Sequence, residues 1–350
     1  MVRVLEIREV APSDDQAFAR WHAALAAGAL DGRVAATVSS LRELTDSLSV
    51  PSPSKRRLAV GAWDGDECVG AMLFELPLRS DLDTVLVEID VPPGHRARGV
   101  GAALWEWAEH RARREGRGIF QSEVYVPHGH TTGSWPGARF ATARGFVSAH
   151  VEDHLVVGLP FDADRLDHLD APGDGGGGYR VVAWAGGCPD RYVESWAHLH
   201  SAMSQDVPTG ELARDAVAHT VESVRTSEER LARNWLTLSS LALTGADQPV
   251  GYSTLFLPRS QPEHAHQDDT LVLEAHRGHG LGARLKVANL RRLAGLPAAD
   301  VSERRWLHTY TSRDNTPMQK VNAHFGFRAV EQMHEFEKRT RPTGGGHEAG

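Results

Sequence analysis

The chain repeats itself. Val91, His95, Arg96, Gly99, Gly101 and Ala102 return as Val272, His276, Arg277, Gly280, Gly282 and Ala283, each 181 residues later. The same offset carries Val69-Gly70 onto Val250-Gly251, Pro77 onto Pro258, and Gly145-Phe146 onto Gly326-Phe327. A single motif can recur by chance, whereas a whole register of motifs marks a duplication. The 350 residues therefore hold two copies of one fold of roughly 150 residues, an ordinary domain size. The reading places an N-terminal domain at 1–160, an Asp/Pro/Gly-rich linker at 161–178, a C-terminal domain at 179–340 and a flexible tail at 341–350.

Within each copy the order of elements is legible. A short strand opens each half, at Leu5-Glu6-Ile7 and at Tyr179–Val182. Amphipathic helices are expected around Ala17–Ala27 and Arg191–Met203, each with a Trp (Trp21, Trp196) on its apolar face. Two strands joined by a tight turn follow: Leu58–Trp63 and Cys68–Leu76 about Asp64-Gly65-Asp66, then Trp235–Leu243 and Val250–Leu257 about Thr244–Asp247. A fourth strand, Thr84–Val91 or Thr270–Val272, runs into the glycine loop. A helix, a fifth strand (Ile119–Tyr125; Trp306–Tyr310), a last helix ending at Gly-Phe and closing strands complete the unit. The fold class is α/β, with a central mixed sheet flanked by helices in each half.

Composition narrows the function. No apolar run approaches the ~18 residues of a membrane span. The start, Met1 to Glu6, lacks a signal-peptide core, so a cytoplasmic protein without membrane association is expected. The net charge of −8 falls on both halves, which disfavours nucleic acid as a partner. Cys68 and Cys188 are the sole cysteines, and no metal motif is built from them. His264 and His266 could begin a metal site, but nothing downstream completes one, so no metal is expected. Basic charge comes from 34 Arg and 4 Lys, as in a GC-rich bacterial genome.

A strand feeding Arg-x-x-Gly-x-Gly and then a helix makes an anion site. The helix start exposes unsatisfied N–H groups, and its dipole favours negative charge. Gly99 and Gly101, or Gly280 and Gly282, let a phosphate reach the backbone, and Arg96, Arg98, Arg277 or His279 can add a cation. The spacing matches neither a P-loop nor a dinucleotide fingerprint.

Val-x-x-x-x-Arg-x-x-Gly-x-Gly-Ala, with Gly-Phe about 45 residues on, resembles the GNAT superfamily of acyl-CoA-dependent N-acyltransferases, once per half. The second half is the closer match, through His276–Gly282, Lys286, Asn315–Met318 and Val321–Phe327, and is similar to tandem acetyltransferases of actinobacteria. The resemblance implies acetyl-CoA, or another short acyl-CoA, as cofactor. Its pyrophosphate would lie on Arg96, Ala97, Arg98, Gly99, Val100, Gly101 and Ala102, and on Arg277, Gly278, His279, Gly280, Leu281, Gly282 and Ala283. The pantetheine arm would follow the backbone at Asp90-Val91 and Leu271-Val272, where a family bulge splays the fourth strand from the fifth. Asn315, a helix cap on local grounds, would lie beside the cofactor, and Asn322 could bond to it. Transfer would pass directly from the thioester to the amine, leaving both cysteines without a role.

Acid and base are harder to place. The family's usual tyrosine, four residues before the Gly of Gly-Phe, is replaced by Ala141 and Asn322. Tyr310 is the substitute acid by proximity, with Tyr125 as its counterpart. Glu88 and Asp269 occupy equivalent places three residues before the valine, and Asp268 and His266 lie on the same approach, all candidates for the base. The loop His128–Trp135 could roof a site, or be simple surface. The expectation is an N-acetyltransferase for a small-molecule primary amine, with catalysis in the second half. A non-catalytic acyl-CoA-binding or regulatory protein and a protein or peptide N-acetyltransferase stay open.

Overall fold

The computed structural model describes residues 5–170, 178–206 and 218–340. In chain order the first half forms β1 (Glu6–Val10), α1 (Asp15–Ala29), α2 (Leu41–Ser49), β2 (Lys55–Asp64), β3 (Glu67–Pro77) and β4 (Thr84–Asp90). Then come α3 (Val100–Arg114), β5 (Ile119–Pro127), α4 (Pro136–Ala143) and β6 (Val147–Gly158). The rest forms α5 (Ala163–Leu169), β7 (Tyr179–Ala185), α6 (Val193–Asp206), α7 (Val221–Leu231), β8 (Trp235–Thr244), β9 (Pro249–Pro258) and β10 (His264–Val272). It closes with α8 (Leu281–Ala294), α9 (Ala298–Val301), β11 (Trp306–Ser312), α10 (Thr316–His324) and β12 (Arg328–Arg339).

These elements make two units. Among the described residues, unit 1 takes 5–151 with 331–340, and unit 2 takes 152–330. The sheet of unit 1 runs β1-β2-β3-β4-β5-β12; that of unit 2 runs β6-β11-β10-β9-β8-β7. The closing strands are therefore exchanged relative to the repeat boundaries. Residues 331–339, from the end of the second copy, pair with β5, while 152–158, from the end of the first, pair with β11. The boundaries at 160 and 179 follow the chain but not the sheets.

In unit 1, α1 packs on one sheet face because Ala17, Phe18, Trp21, Ala24 and Leu25 form one apolar stripe; Asp14 caps its start by accepting from the Ala17 N–H. Trp21 is fully buried and donates to the Val60 carbonyl at 3.0 Å. On the other face, Val100, Leu104, Trp105, Ala108 and Ala112 seat α3. The same spacing in unit 2 buries Leu281, Leu285, Lys286, Asn289 and Leu293 of α8.

Four helices escape the periodicity reading, the short α5 and α9 and the longer α2 and α7. Of these, α2 and α7 carry capping boxes, Ser40 with Glu43 and Thr220 with Ser223. Another correction concerns the expected linker. Phe161, Leu166 and Leu169 are buried and Asp162 caps α5, so 161–169 is packed structure. Residues 171–177 and the tail 341–350 lie outside the described residues. No described helix is long and apolar enough to cross a membrane.

Candidate functional site

The repeated feature is a parallel strand pair that parts. β4 pairs with β5 at Thr84↔Ile119, Val85↔Phe120 and Leu86↔Gln121, and no further. β10 pairs with β11 at His264↔Trp306, Ala265↔Leu307 and His266↔His308, then likewise stops. Beyond each split the fourth strand leads into a glycine loop and a helix. Gly99 (φ +86°) and Gly280 (φ +69°) sit at the N-caps of α3 and α8 in the left-handed region, which glycine enters without steric cost. No side chain caps either helix, whereas α1, α2, α7 and α10 are all capped by side chains. Their first-turn N–H groups thus remain for an anion. The downstream Gly-Phe has a structural cause: Gly145 and Gly326 turn at positive φ while Phe146 and Phe327 N–H bond back to Ala141 and Asn322 carbonyls.

The loop arginines serve the loop first. Arg96 Nε donates to the Val91 carbonyl at 2.9 Å, and its other nitrogens reach Asp31 and the Gly28 carbonyl. Arg277 Nε donates to the Val272 carbonyl at 3.0 Å. Each brace closes the turn that presents the helix start. His279 packs on Tyr179, and Asn315 caps α10 by accepting from Met318 N–H.

In unit 1 a cavity of about 1240 Å³ runs from this loop along β4 into the split. Val91, Ala97, Gly99, Val100, Gly101 and Ala102 line one end, with Arg139 and Arg144 of α4; Glu88, Asp90, Glu123 and Tyr125 line the strand end. Thr132, Gly133 and Trp135 of the 128–135 loop form part of the wall. Asp90 is enclosed, and burial followed by the charge of Glu88 pushes its carboxyl up to about 7, against the pull of Arg33 and Arg96. The surrounding protein likewise raises Glu88, whose side chain is exposed along the cavity. Sequence reasoning missed Arg33 and Glu331. They form a bidentate pair at 2.7 and 2.8 Å, and Arg33 stacks over the Tyr125 ring at 4.0 Å. Glu331 arrives on β12, which no local signal assigns to unit 1.

Unit 2 differs at the same places. β4 pairs with β3 in unbroken register, but β10 slips against β9 between Gln267 and Thr270, a one-residue bulge. The extra residue brings Asp268 and Asp269 together. Burial and mutual repulsion raise Asp268; burial also raises Asp269, outweighing the pull of the Tyr252 hydroxyl and His219. Tyr252 donates to Asp269 at 3.0 Å and lies 3.4 Å from His200 Nδ1. His200, lowered by burial to about 4, is neutral.

The other two predicted groups belong to a row of rings. His266 stacks on His308 and Tyr310 on His154. His308 bonds to His264 at 2.9 Å and to His154 at 3.0 Å. Burial, then neighbouring imidazoles, hold His266 near 4 and His308 near 2. By strand register the counterpart of Tyr310 is Glu123 and not Tyr125.

Where unit 1 has Trp105 and Ala141, unit 2 has Lys286 and Asn322. Lys286 Nζ donates to Asn322 Oδ1 at 2.9 Å, and Asn322 Nδ2 donates to Thr311 at 2.7 Å. Asn322, expected at a cofactor, is thus occupied by protein partners. Lys286 is 2% exposed, and burial alone lowers its ammonium to about 7.

The acetyltransferase (GNAT) family model matches residues 14–131. A mycothiol acetyltransferase from Rothia mucilaginosa is 30% identical over 142 residues, which is 40% of this chain and 38% of that protein, so the chain spans well under two thirds of its relative. A tandem GNAT protein from the clavulanic acid biosynthesis pathway is 28% identical, covering 97% of this chain and 100% of its own, at a TM-score of 0.79. A GCN5-related N-acetyltransferase from Sphaerobacter thermophilus shares the fold at 16% identity, 97% and 96% coverage and TM-score 0.64. Residues 14–131 thus match the acetyltransferase (GNAT) family, and over nearly its whole length the chain, with its two split strand pairs and two uncapped glycine helices, is similar to a tandem GNAT protein.

Proposed function

We propose that the protein is an acetyl-CoA-dependent N-acetyltransferase that acylates a small-molecule primary amine in unit 2. The observation that carries the assignment to unit 2 is the β10 bulge, which sets two carboxylates at the mouth of the strand split, one of them held by Tyr252. The open N–H groups of α8 suit the pyrophosphate, through the helix dipole and direct hydrogen bonds. Asp269, ionised, accepts the proton of the incoming ammonium; Tyr252 fixes the carboxylate and His200 supports the hydroxyl. Because burial raises the Asp268–Asp269 pair, the base form is lost at a higher pH than for a free carboxylate. Burial also pushes Cys68 up to about 11 and Cys188 up to about 12, so neither offers a thiolate. That favours direct transfer over an acyl-enzyme. The two likenesses, to a mycothiol acetyltransferase and to a protein of clavulanic acid biosynthesis, support a small acceptor over a protein one.

For unit 1 a second reading is favoured by its cavity: acyl-CoA binding without transfer. The cavity fits the group, but β4 has no bulge and Ala141 offers no acid.

Matched substitutions separate the units. At Gly282 an added Cβ meets nothing nearer than 3.9 Å, so Gly282→Trp tolerates folding while it fills the anion site. At Gly101 the nearest atom is an edge carbon of the Phe140 ring, at 2.9 Å. CoA-thiol release should fall at least ~1000-fold in G282W, the loss of a preorganised anion site, and stay within about threefold in G101W. The reverse pattern would move catalysis to unit 1.

A further inference from the structure

Neither half carries the family's tyrosine, and the sulfur that leaves needs a proton. We propose that Lys286 is the general acid of unit 2, delivering its proton to the departing thiolate. The inference rests on the reading that unit 2 is the catalytic one.

Position comes first. Lys286 lies on the helix whose open start is the anion site, on the stripe that faces the sheet. It reaches Thr311 through Asn322, and Thr311 stands three residues beyond His308, where β10 and β11 have already parted. The ammonium is therefore two hydrogen bonds from the strand just beyond the split, between α8 and the sheet. Its equivalent in unit 1, Trp105, lines the cavity there.

Chemistry comes second. Lys286 has no carboxylate in bonding range among the described residues, and one of its three N–H groups is used, on Asn322. A buried cation without an anion is costly unless it can discharge. Arg cannot; Lys can. The chain has 34 Arg and 4 Lys, yet at this buried position it keeps lysine. With burial holding it near 7, the group is an ammonium in part at neutral pH, close to the optimum for an acid.

The step balances. The amine nitrogen, its proton passed to Asp269, bonds to the thioester carbonyl carbon. As the C–S bond breaks, sulfur takes its electron pair and one proton from Lys286, giving the free thiol and a neutral lysine. The acylated nitrogen loses its second proton to solvent, solvent recharges Lys286 and discharges Asp269, and an ammonium and a thioester have become an amide, a thiol and one free proton.

The test is thiol release from acetyl-CoA by the full chain, with glucosamine, lysine and spermidine as probe amines and water as acceptor where none is used. Wild-type kcat should fall as pH rises through about 7. Lys286→Gln should lower kcat about 100-fold or more, remove that falling limb, and leave KM for acetyl-CoA within about twofold. Asn322→Asp, which puts a carboxylate against the ammonium, should move the limb up by about one pH unit or more. A chain labelled at lysine Cε has four resonances to follow, and that of Lys286, identified by its loss in K286Q, should titrate well below the other three in the folded wild type. Three results each overturn the proposal: K286Q with undiminished kcat or an intact basic limb, a Lys286 resonance titrating with the other lysines, or a wild-type chain that releases no thiol. If G282W leaves turnover intact, the placement in unit 2 fails; if G282W stops turnover and K286Q does not slow it, the role of Lys286 alone fails.

Discussion

Unit 1 and unit 2 share one frame and fill it with opposite chemistry. Between the glycine helix and the sheet, unit 1 places Met72, Trp105, Ala108 and Ala141, all buried and apolar, beside a large cavity. Unit 2 places Ser253, Lys286, Asn289 and Asn322 there, bonded to one another and to the strands. On the opposite face unit 1 carries carboxylates, Glu88, Asp90 and Glu123, while unit 2 carries imidazoles and a bulged carboxylate pair. Backbone hydrogen bonding and the two apolar helix stripes hold the frame, so the residues lining the split are free to diverge. A duplicated fold thus keeps its glycine loop twice while the polar groups around it differ between the copies.

The strand exchange offers the largest effect. Glu331 is 1% exposed on its side chain and pairs with Arg33. Removing one partner of a buried ion pair typically costs about 3–5 kcal/mol. Glu331→Ala should therefore weaken hydrogen-exchange protection in β5 of unit 1 while protection in β8 and β9 of unit 2 holds. Equal loss in both, or none in β5, breaks the assignment of β12 to unit 1.

The pH dependence should separate the units next. His200, His219, His264, His266 and His308, all in unit 2, are lowered mainly by burial. Their unfolded forms bind protons first, so their stabilising contribution is complete above about pH 6.5 and is lost as pH falls, at up to ~1.4 kcal/mol per pH unit per group. Asp90 of unit 1 is raised to about 7, so its contribution is gained as pH falls through that value and is complete near 4. Asp268 and Asp269 offset unit 2's loss only in part. Hydrogen exchange at pH 7.5 and 5.0 should show unit 2 loosening and unit 1 holding; parallel changes would show that the histidine row is not the cause.

The smallest effect sharpens the site. Tyr252→Phe removes the donor to Asp269, at about 1 kcal/mol of stability. The Asp269 carboxyl should rise further, moving the acid limb of kcat/KM up by several tenths of a pH unit. An unmoved limb would exclude Asp269 as the base.

Much of this was legible before folding. The offset of 181 aligns the α3 stripe Val100, Leu104, Trp105, Ala108, Ala112 with Leu281, Leu285, Lys286, Asn289, Leu293, so the buried lysine and asparagine could be read from the repeat. The capping box at Ser40 and Glu43 was an equally local signal for α2. Local patterns fail where partners are distant. Asn322 is ordinary mid-helix until Lys286 lies against it, and His308 and His154 are unremarkable until β11 and β6 set them side by side.

By itself, the sequence determined the duplication, the alternation of strands and helices, the two glycine loops and the carboxylates before them. Those follow from short-range rules of periodicity, backbone freedom and capping, which need no neighbour. Only the tertiary structure decided which strand completes which sheet, that β10 bulges and β4 does not, and that Lys286 meets no anion among the described residues. Pairing and burial are set by residues far apart in the chain, and the low dielectric they create is what turns an ordinary lysine or aspartate into a group that titrates near neutrality.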